Sequence, residues 1–426
     1  MNRSICILGR QPELGLAELE SLYGADKVRR VGEDAALIEV DPCVLAFPRL
    51  GGSIKLAKVL TILDTSNWGE LEKFGIETIP EHVQHVPEGK FKLGLSAHGF
   101  KVTPKRINAT VLSFKKAVKI ATRRNVRVIP NNGHQLSSAQ VLHNQLTSPT
   151  GWELLFIADG KQTIVAQTIV VQDIESYAAR DQARPKRDAR VGMLPPKLAQ
   201  IIINLAAGTL PMPKNQSEQD GVCLAPELGA GGKTILDPFC GTGVILQEAL
   251  LMGYKALGSD LEPRMVAFSQ ENLEWLTTHM NEANFELSTA DATQAKWDTP
   301  FNLLATETYL GRAFSVQPKP EVLEEVIQDT NVIHKRFLHN LALQTKTGFR
   351  MCIAVPAWST TLRSGRPHGS DSNEKTKSGF KHLKVLDHLE EIGYTRVSFV
   401  HGSLDRLVYH RPGQIVAREL VVLIRK

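Results

Sequence analysis

The chain has 426 residues, 42% of them hydrophobic and 22% charged, with a formal net charge of +5. This is the composition of an ordinary globular protein, long enough for two or three domains with separate cores, and its mild basic balance permits a polyanionic partner without requiring one. The start of the chain lacks a long apolar signal core and no later stretch is long and apolar enough to span a bilayer, so a cytoplasmic protein without a membrane partner is expected.

In chain order, Ile5 to Leu8 reads as a short strand, Leu14 to Leu22 as a helix and Ala35 to Val40 as a second strand. A second block runs from about Gly52 to Val171. In it Lys92 to Leu95, Val126 to Ile129, Trp152 to Ala158 and Ile164 to Val171 read as strands, while Ala109 to Ala121 and Ala139 to Leu146 read as helices. The first of these helices carries Lys115, Lys116 and Lys119. Arg180, Arg184, Lys186, Arg187 and Arg190 then crowd one short stretch with Asp181 and Asp188. Pro195-Pro196 opens an apolar helix to Ala207, with proline suited to the first turn. Residues 215–232 form a polar, glycine- and proline-containing connection.

From Lys233 onward strands and helices alternate, as in a doubly wound parallel sheet. Strands are expected at 234–239, 255–261, 284–290, 301–307 and 349–356, and helices at 243–253, 263–277, 321–343 and 379–391. Thr395 to Val400 and Ile415 to Ile424 lack an intervening helix and are expected to pair antiparallel. The polar segment 364–378 is the candidate for disorder or a substrate-ordered lid.

Thr234-Ile-Leu-Asp-Pro-Phe-Cys-Gly-Thr-Gly243 carries the chemistry. A buried strand runs into a glycine turn that opens a helix, and this creates a crevice at the strand's carboxyl end. Gly241 and Gly243 let the backbone approach a ligand closely. Leu246 stands where a dinucleotide fingerprint would carry its third glycine, which disfavours a pyrophosphate site. Asp237, Asp260 and Asp291 end three consecutive strands. Each alone also fits a helix cap or turn. Together they suit a nucleoside bearing an ammonium group: Asp237 for the cation, Asp260 for ribose hydroxyls, Asp291 for an adenine amino group. The five cysteines, Cys6, Cys43, Cys223, Cys240 and Cys352, are scattered and have no metal-ligand spacing, so reduced thiols and no metal are expected. Cys240 reads as a small buried residue and not a nucleophile, because no histidine lies near it in sequence.

Asp237-Pro-Phe-Cys-Gly-Thr-Gly243 with Asp260 and Asp291 resembles the class I methyltransferase signature. Arg180 to Pro185 and Met193 to Leu205 resemble the region preceding the catalytic domain in THUMP-containing tRNA guanine-N2-methyltransferases of the guanosine-10 type. The resemblance implies an α/β fold: a Rossmann-like class I methyltransferase domain with a seven-stranded sheet and an antiparallel last strand, preceded by α+β ferredoxin-like and THUMP-like domains. On that reading residues 1–50 are the ferredoxin-like segment and 51–172 the THUMP-like RNA-binding domain. Residues 173–232 are the linker with its helix, and 233–426 the methyltransferase domain. It implies S-adenosylmethionine as cofactor, bound by Asp237, Pro238, Phe239, Cys240, Gly241, Thr242 and Gly243, with Asp260 and Leu261 at the ribose and Asp291 and Ala292 at the adenine. It implies tRNA as partner and leaves a small activating protein partner open.

The family's catalytic Asp-Pro-Pro-Tyr-Gly should follow the fourth strand, where this chain has Leu304-Ala-Thr-Glu-Thr-Tyr-Leu-Gly311. Thr306 replaces the aspartate, Glu307 and Thr308 the prolines, and Tyr309 remains. A guanine exocyclic amine needs an acceptor that orients its N–H bonds and stabilises developing positive charge. Glu307 is the candidate acceptor, Thr306 its strand-end neighbour, and Tyr309 a candidate stacking platform. His98 and His134 read as structural, and Trp358 and Phe314 as packing residues beside the substrate mouth. A methyltransferase for another base, and a silent RNA-binding protein of the same fold, are the competing readings.

Overall fold

The computed structural model describes residues 3–188, 193–210, 231–278, 280, 284–314, 316–360, 379–403 and 407–426. The segment 364–378, Arg190 and most of the connection 215–232 lie outside the described residues.

The N-terminal half is built on one sheet. Its elements are β1 (Ser4–Leu8), α1 (Pro12–Tyr23), β2 (Val28–Val31), β3 (Ala35–Ile38), β4 (Ser53–Leu63), α2 (Trp68–Val83), β5 (Phe91–His98), α3 (Pro104–Thr122), β6 (Val126–Val128), α4 (Ser138–His143), β7 (Gly151–Asp159) and β8 (Gln162–Val171). The strand order is β2-β3-β1-β4-β8-β7-β5-β6. The long strand β4 pairs antiparallel with β1 on one side and β8 on the other, so the segment before residue 50 and the block after it share this sheet. α2 and α3 cover it through Leu71, Ile107, Val111, Phe114 and Val118, packed on Phe91, Leu93, Leu95 and Phe156. The helices start where side chains cap free N–H groups: Asn67 caps α2, Thr103 caps α3, and Ser137 forms a capping box with Gln140 on α4. Lys116 and Lys119 stand on the exposed side of α3.

Two helices bridge the halves, α5 (Ile174–Gln182) and α6 (Pro196–Ala207). The second half follows: β9 (Thr234–Asp237), α7 (Val244–Leu251), β10 (Lys255–Asp260), α8 (Pro263–Thr277), β11 (Phe285–Thr289), β12 (Leu303–Glu307), α9 (Pro320–Ala342), β13 (Arg350–Ser359), β14 (Phe380–Lys381), α10 (Leu389–Ile392), β15 (Tyr394–Arg396), β16 (Val408–Tyr409) and β17 (Val416–Arg425). The main path is β11-β10-β9-β12-β13-β17-β15, with β14 on β13 and β16 on β17. β9 to β13 are mutually parallel, while β17 runs antiparallel between β13 and β15, as expected for the last two strands. The expected helix 379–391 is absent. Phe380–Lys381 is a strand, Lys384–His388 a 3₁₀ turn, and only Leu389–Ile392 is α-helical. Leu383, Leu386 and Leu389 recur every three residues, a spacing that suits three residues per turn as well as it suits an α-helix. No helix among the described residues is long and apolar enough to cross a membrane. Cys6, Cys240 and Cys352 are free, whereas Cys43 is disulfide-bonded, a departure from the expected reduced set.

α6 is the joint of the molecule. It is buried nearly all round: Leu198, Ile202, Ile203 and Leu205 share one cluster with Leu14 and Ala17 of α1 and with Ile235, Val244, Ala305, Cys352 and Leu420 of the second half. Each such aliphatic side chain contributes about 1.5–3 kcal/mol when fully buried. A polar knot fixes the register. Asn204 Nδ2 donates to Glu18 Oε1 (2.7 Å) and to the Arg49 carbonyl (2.8 Å), while Arg49 Nε donates to Asn204 Oδ1 (2.8 Å). Glu18 also accepts the amides of Gly51 and Gly52. Removing one member strands the others in an apolar setting. Asn204→Leu should therefore cost roughly 3 kcal/mol, read as a lower urea midpoint with an unchanged slope.

Candidate cofactor and catalytic site

The site lies at the carboxyl edge of the second sheet, where β9, β10 and β12 end side by side. β9 is a short run of β-branched and aliphatic residues, and Pro238 stops it after Asp237. The turn that follows needs left-handed backbone: φ is 51° at Gly241 and 82° at Gly243. A Cβ on Gly243 would also meet Ser269 Oγ at 3.0 Å, so both conformation and space require glycine there.

Two residues of α8 hold this turn, and neither was singled out from the sequence. Ser269 Oγ donates to the Gly241 carbonyl (2.8 Å), and Asn272 Nδ2 donates to the Thr242 carbonyl (2.8 Å). A lone Ser and Asn on an amphipathic helix carry no sequence signal. Asp260 braces the turn from the next strand: its Oδ2 accepts the Gly241 amide (2.9 Å) and its Oδ1 the Glu262 amide (3.0 Å). Leu261 beside it is 67% exposed, an apolar surface open to the crevice edge. Cys240 is buried, with its thiol pushed well up by burial, so it stays protonated and inert.

Asp237 is the anomaly. It is 2% exposed, and burial pushes its carboxyl up to about 7. Both of its hydrogen bonds among the described residues land on Oδ1, from Thr306 Oγ1 (2.6 Å) and from the Phe239 amide (3.3 Å). No cation pairs with it among the described residues, and Asp260 and Glu307 add negative charge nearby. A buried carboxylate in that state suits a cationic ligand.

Thr306 sits next to Asp237 because β12 pairs with β9 in register, Leu303 with Ile235 and Leu304 with Leu236. The neighbouring Glu307 carboxylate pairs with the Arg418 guanidinium on β17. Burial pushes Glu307 above its ordinary range, and Arg418 opposes that push. Only its Oε1 receives this bond, and the side chain keeps 16% of its exposure. Thr308 turns inward to His334 Nε2 (2.7 Å) on α9 and Tyr309 turns outward, 44% exposed. Burial depresses His334 to about 4, so that imidazole is neutral.

The third acid differs from the first two. Asp291 caps its own turn: Oδ1 accepts from the Thr293 amide (2.9 Å) and hydroxyl (2.8 Å), and Oδ2 from Gln294 Nε2 (3.1 Å). The Thr293 amide above all holds its carboxyl below the usual range. Ala292 is buried beside it. Trp358 is fully buried and Phe314 packs on the same core, so both are packing residues. His98 is buried in the first sheet, 2.9 Å from Asp34.

A sheet ordered 3-2-1-4-5-7-6 with its seventh strand antiparallel, a glycine turn after its first strand and acids after its first and second, defines the Rossmann-like methyltransferase class. Residues 229–353 match the family model described as RMKL-like, methyltransferase domain. It is 30% identical over 178 residues to a tRNA (guanine(10)-N2)-dimethyltransferase of Methanothermobacter thermautotrophicus, covering 41% of this chain and 43% of that protein. It is 28% identical over 167 residues to the enzyme of the same name from Pyrococcus abyssi, covering 38% of this chain and 39% of that one. The match thus spans less than half the length of these relatives. The crystal structure of TrmN from Thermus thermophilus aligns over the whole of both chains at 14% identity, with a TM-score of 0.47.

The state of Asp237 has a measurable consequence. Between its ordinary value near 4 and about 7, the unfolded chain has lost a proton that the folded chain keeps, so stability falls as pH rises through that window. Asp237→Asn removes the penalty. It should raise stability on the order of 2 kcal/mol at pH 8 and much less at pH 4.5, in paired thermal or urea unfolding curves.

Proposed function

We propose that the chain is a cytoplasmic S-adenosylmethionine-dependent methyltransferase that modifies a guanine N2 in tRNA. The observation that carries the reading is Asp237, a buried carboxylate that no cation among the described residues pairs with, beside a glycine turn in a segment that matches a methyltransferase family model. The names of the relatives point the same domain towards guanine 10 of tRNA.

The residues fit the cofactor. Asp237 would take the ammonium of its amino-acid end, and Gly241 and Gly243 give the backbone close approach. Asp260 keeps lone pairs for ribose hydroxyls beyond its two amide bonds. Leu261 and Ala292 would flank the nucleoside, with Asp291 at the adenine edge through its remaining acceptor capacity. When bound, the cofactor supplies a methyl group made electrophilic by the sulfonium, so the chain's task is to position the acceptor and drain its positive charge. Glu307 would accept an N–H of the guanine amine on Oε2 while Arg418 holds Oε1. Thr306 keeps Asp237 in place from behind. Tyr309, exposed at the mouth, offers a face for the base.

Residues 1–50 and 51–172 would form the ferredoxin-like and THUMP-like RNA-binding part, 173–232 the connecting segment, and 233–426 the catalytic domain. Lys116 and Lys119 would contact phosphates. Replacing both with alanine should weaken tRNA binding without altering cofactor affinity, and reduce the slope of log affinity against log salt by about 1–2, in filter-binding titrations.

The reaction is tested with the full chain, labelled cofactor and unmodified tRNA, followed by nucleoside mass spectrometry. N2-methylguanosine is expected, and Glu307→Gln should lower kcat by roughly 10²–10³ with cofactor affinity unchanged. Thr306 at the aspartate position favours a second reading, a different acceptor base, and a methylated adenine or cytosine would establish it. Cofactor and tRNA binding without transfer would mark a silent fold. Transfer that appears only on adding cell extract would point to a small activating protein.

A further inference from the structure

The basic stretch before α6 holds a buried guanidinium that Asp181 and Glu248 attract only from a distance, with no ion pair or hydrogen bond to it among the described residues. Arg184 is 3% exposed, and its Nε and Nη2 are buried without a hydrogen-bond partner among the described residues. Asp181 attracts it from three residues upstream, and three other charges of the stretch are already paired. Arg180 pairs with Glu248 (2.9 Å), Lys186 with Glu271 (3.2 Å), and Asp188 with Arg264 (3.0 Å). A buried guanidinium with open donors calls for an anion, and a carboxylate or phosphate matches its planar fork best.

The position of Arg184 narrows the choice. Two residues further on, the Lys186 amide donates to Asn272 Oδ1 (2.8 Å), and Asn272 Nδ2 donates to the Lys186 carbonyl (3.0 Å). The same Asn272 Nδ2 donates to the Thr242 carbonyl inside the glycine turn. The linker is thus bolted onto the turn through one side chain. Arg184 also lies within electrostatic reach of Glu248, one helical turn into α7. α7 itself starts at Gly243 with no side chain capping its first amides.

We propose that Arg184 binds the carboxylate of the cofactor's amino-acid end, so that Asp237 and Arg184 form opposite poles for a zwitterion across the glycine turn. The assignment rests on the cofactor reading above and names a binding residue for it. A buried acid without a cation partner and a buried guanidinium with open donors, both among the described residues, lie on segments joined to one turn, and an α-amino acid carries both complementary charges at a fixed spacing. The same arrangement explains why the linker is tied to α8: Asn272 fixes the distance between the turn and the residue that would close over it.

The test is calorimetric titration of the full chain with S-adenosylmethionine and with its decarboxylated analogue, which keeps the sulfonium and the amine. Wild type should bind the intact cofactor at least about 10-fold more tightly than the analogue. Arg184→Met should lower affinity for the intact cofactor by about 10–100-fold and leave the analogue unchanged, with Arg184→Lys in between. Without ligand, Arg184→Met should melt at or above the wild-type temperature, because a buried charge without a partner has been removed. A variant that melts well below wild type makes Arg184 structural and overturns the proposal. So does equal weakening of both ligands, or unchanged cofactor affinity with weaker tRNA binding, which would make the anion a phosphate. If wild type binds neither ligand, the cofactor reading fails and takes this assignment with it; if wild type binds both equally well, only the Arg184 assignment fails.

Discussion

The bond from Thr306 to Asp237 is where the second half of the molecule becomes a site. It joins the ends of β9 and β12, two strands far apart in sequence, at the point where the sheet stops and the crevice begins. Everything nearby depends on Asp237 staying buried and ionisable. The glycine turn leaves the strand at Pro238, Asp260 and α8 hold that turn from two sides, and β12 closes the third. The acid is destabilising in the free protein, and the cationic ligand of the proposed function would turn that deficit into affinity.

The same bond accounts for the altered fourth-strand motif. At position 306 an aspartate would put a second carboxylate oxygen within hydrogen-bonding distance of Asp237, where the two could coexist only by sharing a proton. A threonine hydroxyl donates there instead. The acidic function then falls to position 307, which leans the other way, towards Arg418 on β17. Moving the carboxylate by one residue separates two tasks. On the proposed function Thr306 supports the cofactor acid, and Glu307 is left to face the acceptor beside its own counter-charge.

The inner strands of the second sheet, β9, β12 and β13, were legible in the sequence because they are buried on both faces, and unbroken runs such as those at 234–237 and 350–359 have few alternatives. The glycine turn and its acids were legible because φ above zero and strand-end carboxylates leave residue-specific marks. What escaped was polar or irregular. β4 went unread because Lys55 interrupts its pattern, yet that lysine is buried in an ion pair with Glu153, which Ser96 and Thr168 also bind. α2 contains Gly75 and Pro80 and shows its apolar face only in three dimensions. The supports of the site, Ser269, Asn272 and Arg418, are single polar residues whose meaning comes from partners on other elements. Asp291 reads in sequence like the other two acids, yet its carboxylate is occupied by its own turn.

The basic run at 180–190 shows how charge density misleads when it is read along the chain alone. In sequence, five cations interspersed with two aspartates fit a diluted phosphate-binding stretch or a solvated face equally well. In the fold Arg180 is consumed by Glu248, which Gln200 of α6 also binds, and Lys186 and Asp188 are consumed by α8. The charges are spent on fastening this segment to α7 and α8, because a stretch that lies against two helices without a core of its own is held by ion pairs and hydrogen bonds. Once those pairs are subtracted, a single buried guanidinium stands out. Arg187 stays exposed as a surface charge, whereas Arg184 is buried with two guanidinium nitrogens that find no hydrogen-bond partner among the described residues, which is the state the proposed ligand contact would relieve.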